Sequence, residues 1–267
     1  MVSKSIDGGK KFKWMTVAGY EKRDFRDVEA FDKDEAIIMA IDEPTVILKT
    51  IDGGISWKKV FEDTNKGMFL DAMDFMNDKE GVVVGDPIDG KIFLAHTTDG
   101  GNTWNKEPTT TVEKGEAFFA ASGGNIKMKA GKKGQKNEVL YVTGGTKSKF
   151  YSNDFSGDIT LPIVQGKEST GANAIDIWGD KAVIVGGDFS NDTASSNNCV
   201  IVDFTNGNSF SQPIIPPHGY RSSVRFIDKN TLVACGTSGV DISYDGGMNW
   251  QLVSKTKLPC SAKGKTR

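Results

Sequence analysis

The chain carries the octapeptide Thr50-Ile51-Asp52-Gly53-Gly54-Ile55-Ser56-Trp57 and returns twice to nearly the same sequence. The further copies are Thr97–Trp104 and Ser243–Trp250, and a shortened copy lies at Ser5–Gly9. In this motif, the Asp box, the aspartate and the preceding Ser or Thr are expected to accept hydrogen bonds from turn amides, while glycine supplies the positive φ. Each copy therefore predicts a tight turn.

The copies recur at one period. Their aspartates, with those of two degenerate copies, lie at positions 7, 52, 99, 154, 203 and 245, so the separations are 45, 47, 55, 49 and 42 residues. This is the period of a four-stranded propeller blade. Short β-branched runs fill the intervals, as in Ala36–Ala40 and Thr45–Lys49, and no interval predicts an amphipathic helix. The sequence predicts an all-β fold, a β-propeller of four-stranded blades in which the Asp box joins the third and fourth strands.

The aspartates and tryptophans that recur in the copies of the motif are interpreted as structural. The aspartates act in the turns, and the tryptophans pack between neighbouring blades as large apolar anchors. We expect no catalytic or metal-binding role for them, because this turn lies at the outer end of a blade. The residues concerned are Asp7, Asp52, Asp99, Asp245, Trp57, Trp104 and Trp250.

Composition excludes several classes of protein. With 33 Lys and Arg against 35 Asp and Glu, the formal charge is -2, so nothing indicates a nucleic-acid partner. No run approaches the roughly 18 apolar residues of a membrane span. The N-terminal segment is polar and does not predict a signal peptide. Three cysteines fit neither a disulfide framework nor a metal motif.

Several segments resemble known families. The Asp boxes resemble those of the sialidase-like BNR-repeat superfamily, and Asp24–Phe31 leading to an Asp box is similar to the photosystem II stability/assembly factor family. Gly67–Phe75 and Val84–Lys91 resemble a branch of that family from non-photosynthetic bacteria. The resemblance implies a seven-bladed propeller and a periplasmic or extracellular location. Members of this branch often carry the label oxidoreductase without an evident redox motif.

The resemblance extends over residues 5–254, and we expect one propeller domain over 1–254 with a basic tail at 255–267. The expected modules are a partial blade at 1–20 and blades at 21–65, 66–112, 113–167, 168–215 and 216–254. The sequence accounts for about six blades, whereas the family has seven. This predicts an exposed sheet edge and possible self-association through it.

Arginines are the strongest candidates for a binding site. The first strand of each blade lines the propeller axis, and an alignment of the modules places Arg26 and Arg221 at one equivalent position. The alignment rests on Phe31, Phe75, Ile177 and Phe226. Arg23, Arg225 and Tyr220 are expected nearby. Because the guanidinium fork suits carboxylates and phosphates, this set predicts an acidic ligand. Alternatively, each arginine pairs with a local carboxylate such as Asp24, Asp27 or Asp228.

Two aspartates complete the candidate set. Asp86 and Asp188 follow second strands at matching places, where they either line the same axial face or start hairpin loops. His96 and His218 are far apart and do not predict a metal site. No dinucleotide-binding, haem or cluster motif is present, so we expect no cofactor and no metal.

The leading hypothesis is a non-catalytic binding or assembly-factor-like module. It would hold a protein, an acidic peptide or an acidic glycan on the arginine-bearing axial face, without binding nucleic acid. A sialidase-like glycosidase is the alternative, with Tyr220 and Glu116 as nominated partners. An oxidoreductase rests on the family label alone. We expect no enzymatic activity, because no nucleophile and base are visible at a recognisable spacing.

Overall fold

The structure is a computed structural model that describes residues 1–108, 110–119, 122–131, 135–153, 158–205 and 207–258. Within these ranges it contains β-strands and one 3-10 turn, Phe189–Asn191, and no α-helix, which confirms the predicted all-β class. None of the described segments forms a helix that could cross a membrane. The chain divides into two compact units, residues 1–110 and 111–267.

The described residues of the first unit form one two-stranded and two four-stranded antiparallel sheets. The two-stranded sheet, the partial module, comprises β1 (Val2–Lys4) and β2 (Lys13–Met15). Module 1 comprises β3 (Phe25–Ala30), β4 (Ala36–Ala40), β5 (Thr45–Thr50) and β6 (Lys58–Asp63). Module 2 comprises β7 (Leu70–Phe75), β8 (Gly81–Ile88), β9 (Lys91–Thr97) and β10 (Asn105–Lys106).

The second unit contains two four-stranded sheets and one six-stranded sheet among its described residues. In chain order its strands are β11 (Glu116–Ala117), β12 (Ile126–Lys129), β13 (Glu138–Val142), β14 (Gly144–Gly145), β15 (Lys149–Ser152), β16 (Asp158–Thr160), β17 (Thr170–Trp178), β18 (Lys181–Asp188), β19 (Cys199–Asp203), β20 (Ser209–Ser211), β21 (Ser223–Phe226), β22 (Leu232–Gly236), β23 (Gly239–Ser243) and β24 (Gln251–Ser254). Module 3 is β12, β13, β15 and β16; module 4 is β17 to β20, extended at β17 by β14 and β11; module 5 is β21 to β24.

The Asp-box turns have one hydrogen-bond pattern. The Thr50 hydroxyl donates to Asp52 Oδ1 over 2.8 Å and accepts from the Gly54 amide at 3.0 Å, and Asp52 accepts from the Ser56 amide at 2.9 Å. The Ser56 hydrogen bonds lower the pKa of the Asp52 carboxyl to about 2. Gly53 has a φ of 74°, which a side chain would strain. The pattern repeats at Asp7, Asp99 and Asp245, whereas Asp154 lies outside the described residues.

Apolar residues of adjacent modules form shared core clusters. Ile37 and Met39 of module 1 share one cluster with Met73 and Trp104 of module 2. Trp250 is buried in the cluster common to modules 4 and 5, and its indole N–H donates to the Gly247 carbonyl over 2.8 Å. Burial between successive sheets therefore stabilises this arrangement. Trp57 joins a separate cluster with the partial module.

Candidate functional site

The hairpin joining the first two strands fixes the alignment between modules. In each of three modules one backbone amide donates across this hairpin to the carbonyl four residues further along the chain. The donor is Phe31 in module 1, Met76 in module 2 and Ile227 in module 5. Phe31 therefore corresponds to Met76 and Ile227 and not to Phe75 and Phe226. The alignment used on the sequence is wrong by one residue at module 1.

This correction separates the two principal arginines. The last paired residue of the first strand is Ala30 in module 1 and Phe226 in module 5, so these two residues correspond. Counting back from them, Arg26 corresponds to Ser222, and Phe25 corresponds to Arg221. A one-residue shift turns a strand side chain to the opposite face of its sheet. The two arginines are thus not at one equivalent position of the repeat.

Arg26 presents an open guanidinium. It is the extra residue of a bulge in β3, between Phe25 and Asp27, and its side chain is 44% exposed. Its Nε donates to the carboxylate of Asp24 over 2.9 Å, and Asp24 is similarly exposed. Such a surface ion pair contributes little to stability and exchanges readily for another carboxylate.

Arg221, in contrast, is fully buried. Its Nε donates to Asp241 Oδ2 over 2.7 Å, and its Nη2 pairs with the same oxygen. Nη1 donates to the Tyr220 carbonyl and the Ser238 hydroxyl. The expectation that Arg221 faces an open funnel is therefore wrong, because Asp241, only 20 residues along the chain, holds the side chain inside module 5.

The other predicted residues near these arginines also have partners within the protein. Arg23 donates to the backbone carbonyls of residues 42–44, and Arg225 is mostly buried with its Nη1 3.6 Å from Asp176. Tyr220 is buried, its hydroxyl accepts from Asn173 Nδ2 at 2.8 Å, and burial raises its pKa to about 12. The alternative interpretation, pairing with a local carboxylate, fits the pair of Arg26 with Asp24, whereas Arg225 pairs with Asp176 on β17 and Arg23 donates to backbone carbonyls.

The two candidate aspartates differ in setting. Asp188 caps the 3-10 turn by accepting from the Ser190 amide, and its hydrogen bond from the Ser190 hydroxyl lowers its pKa to about 2. Asp86 is half-buried beside Asp71, a carboxyl that sequence reasoning did not select. Asp71 is fully buried, and neither of its oxygens has a hydrogen-bond partner. Burial, with the Asp86 charge, raises the pKa of Asp71 well above its usual range.

A tyrosine–glutamate pair is present, but it does not involve the nominated tyrosine. Glu116 Oε2 accepts from the Tyr151 hydroxyl at 2.8 Å and from the Thr143 hydroxyl at 2.7 Å. Lys149 lies 3.5 Å from Glu116 Oε1. Tyr151 is only 4% exposed and stacks on Tyr141, and burial and Glu116 raise its pKa. Periodicity offered no signal for this pair, because 35 residues separate its members.

The open face of β3 is the side of the strand that carries Arg26, Val28 and Ala30, and it is exposed to solvent. In the other modules the residues that correspond to Val28 are buried. Val28, two residues beyond the bulge, is 57% exposed. The residues at the same position are Met73, Ile175 and Val224, and they are 5%, 0% and 0% exposed. Arg26 and Ala30 are exposed beside Val28. Val28 and Ala30 thus form a short accessible apolar strip with the Arg26 guanidinium at one end.

Metal-ligating side chains are not clustered in this part of the chain. Among the described residues, no group of three or more His, Cys, Asp or Glu side chains is arranged to hold a metal ion. His96 pairs with Glu107, and His218 Nδ1 lies 2.7 Å from Asp241 Oδ1. Cys199 and Cys235 are buried thiols, and burial raises the pKa of Cys199.

Comparison with known proteins identifies the fold. No protein-family model and no curated protein matches the chain. Solved structures do match it: YCF48 from Cyanidioschyzon merolae has a TM-score of 0.57 at 15% identity, covering 94% of this chain and 77% of that one. The Niastella koreensis GH74 enzyme has a TM-score of 0.58 at 13% identity, covering 86% and 38% respectively. U3-55K has a TM-score of 0.55 at 10% identity, covering 86% and 65%.

The chain therefore has a β-propeller fold, as the sequence predicted. At these identities the likeness establishes the fold alone, and one of the three similar structures is an enzyme. Function must consequently be argued from the side chains of this chain.

Proposed function

We propose that this protein is a non-catalytic binding module that holds an acidic peptide or protein partner on the open face of β3, with Arg26 as the cationic contact. The observation that carries the proposal is the contrast among the candidate arginines. Arg26 is 44% exposed in an exchangeable pair with Asp24, whereas Arg23 and Arg221 donate to internal acceptors. Val28 and Ala30 supply apolar surface beside the charge.

Binding of an octaglutamate peptide tests the cationic contact. We expect Arg26→Ala to weaken it about tenfold, the loss of roughly 1.4 kcal/mol, and we expect the wild-type affinity to fall with added salt, since exposed charges are screened over about 8 Å. Fluorescence anisotropy of the labelled peptide measures both. Lys66→Ala is the matched control, because it removes an exposed charge of the same unit from the loop between β6 and β7 and not from β3. Equal losses for both variants, or salt-independent binding, would contradict the proposal.

The second candidate is a glycosidase, favoured by the hydrogen bond between Tyr151 and Glu116. A nucleophilic tyrosine needs a readily lost proton and access to substrate. The burial of Tyr151 and its raised pKa oppose both. We therefore expect no release of fluorophore from a sialoside reporter. Turnover that disappears in Tyr151→Phe while the melting temperature is unchanged would establish the enzyme instead.

A further inference from the structure

A cavity lies at the junction of modules 4 and 5, within the second unit. Its volume is about 200 Å³, and its walls are residues 196–199, which lead into β19, and the connection from β20 to β21. All four strands of both modules are present beside it. An engineered cavity of about 150 Å³ holds a benzene molecule, so this cavity has room for a small organic group.

The lining of the cavity carries no formal charge. It consists of Ser196, Cys199, two prolines and the side-chain amides of Asn197, Asn198 and Gln212. Burial raises the pKa of the Cys199 thiol, which is therefore neutral at physiological pH. An ion that entered this site would lose hydration and gain no counter-charge. The cavity consequently favours an uncharged ligand.

The side chain of Asn198 has an unpaired acceptor. Asn198 is fully buried, and its Nδ2 donates to the backbone carbonyls of Pro217 over 2.8 Å and Gly219 over 2.7 Å. These two hydrogen bonds use both amide protons and fix the orientation of the group. Among the described residues, its Oδ1 has no hydrogen-bond partner. Because buried acceptors are nearly always paired, this oxygen indicates a donor from outside the chain.

The amides of Gln212 and Asn197 present one further acceptor and one donor group. Gln212 Nε2 donates to the Pro162 carbonyl over 2.8 Å and to Asn197 Oδ1 over 2.9 Å, so both of its protons are used. Within the described part of the chain, this leaves Gln212 Oε1 and Asn197 Nδ2 without a partner. With Asn198 Oδ1, the cavity therefore offers two acceptors and one donor group.

We propose that this cavity binds a primary carboxamide on a short aliphatic chain, either the glutamine side chain of a partner peptide or a free small amide. A primary carboxamide has two N–H donors and one carbonyl acceptor. Its donors match Asn198 Oδ1 and Gln212 Oε1, and its carbonyl matches Asn197 Nδ2. The rings of Pro213 and Pro216 supply apolar surface for the aliphatic carbons. The site does not involve β3 and is independent of the function proposed above.

Propanamide is the probe for the group itself, titrated into the full chain and followed by the backbone amide NMR signals of Asn197 and Asn198. We expect saturable shifts of these signals. Propanoate and N,N-dimethylpropanamide should each bind at least about tenfold more weakly, because both lack N–H donors for the amide oxygens of the cavity. Equal binding of the three compounds would refute carboxamide recognition. The absence of any shift with propanamide would show that solvent alone fills the cavity and would overturn the proposal.

Two substitutions locate the site. Gln212→Met keeps the length of the side chain but removes Oε1, and Asn197→Gly removes Nδ2 at a backbone φ of 51°, which glycine adopts readily. Each should weaken propanamide binding about fivefold, the contribution of one hydrogen bond. Gln251→Met is the matched control, because Gln251 is an exposed glutamine of the same unit on β24, and it should leave binding unchanged. Wild-type affinity in both cavity variants, with unchanged melting temperatures, would refute the location.

A peptide distinguishes the two sources of the carboxamide. The peptide is an uncharged pentamer with glutamine at its centre and alanine elsewhere, and its counterpart carries glutamate instead. Displacement of propanamide by the glutamine peptide but not by the glutamate peptide assigns the site to a partner side chain. Propanamide binding that neither peptide displaces assigns it to a free small amide. Displacement by both peptides alike would contradict carboxamide recognition. None of these outcomes involves Arg26 or added salt, so the proposed function is tested separately.

Discussion

Asp241→Asn is expected to lower the free energy of unfolding by about 3–5 kcal/mol, because it leaves a buried guanidinium without its counter-charge. Asp241 and Arg221 are both fully buried, and the carboxylate also accepts from the His218 amide at 3.1 Å. A loss of this size is a large part of the 5–15 kcal/mol that is typical of a folded domain. Urea denaturation, followed by tryptophan fluorescence to which Trp250 of the same module contributes, measures the loss.

Two further variants show whether the charge is responsible. Asp180→Asn, a change at an exposed aspartate of the same unit, should leave stability within about 0.5 kcal/mol of the wild type. The double variant Arg221→Met with Asp241→Leu removes both charges and should recover most of the loss, since apolar replacements of buried ion pairs are often neutral. An Asp241→Asn protein as stable as the Asp180→Asn control would show that the pair is not required for the fold.

The sequence predicted the strands well because they are set by local signals. Ala36–Ala40 is a strand with the predicted ends, and the predicted strand Thr45–Lys49 extends by one residue to Thr50. Hydrophobic alternation between glycine-containing turns determines such elements within a few residues of chain. The period of the Asp boxes then predicted how many modules follow one another.

The candidate site was less predictable, because it depends on strand register and on distant partners. The alignment failed by one position because Phe31 lies one residue past Ala30, the last paired residue of β3, whereas Phe75 and Phe226 are themselves the last paired residues of their strands. The partner that buries Arg221 lies on β23, and nothing in the sequence of β21 points to it. The exposure of Val28 depends on what covers a sheet and not on the strand itself.

Asp71 is expected to make stability fall with rising pH. Its folded-state pKa is raised well above the usual value near 3.8, so its ionisation opposes folding. The unfolded state releases the proton first, and the stability present below about pH 4 is lost as pH rises towards the folded pKa. Relative to an Asp71→Asn variant, the wild type should lose up to about 1.4 kcal/mol per pH unit in this window.

Urea unfolding of the two proteins at pH 4, 5, 6 and 7 measures this difference. The cause is specific to the setting of Asp71: burial of the carboxyl is the largest effect, the Asp86 charge adds to it, and the Asp86 backbone amide acts weakly in the other direction. Asp89→Asn is the matched control, because Asp89 is exposed in the hairpin after β8, and its difference from the wild type should not grow with pH. A flat difference for Asp71→Asn would show that the pKa of Asp71 is not raised in the fold, and a wild type that gains stability relative to it as pH rises would show that this pKa is lowered.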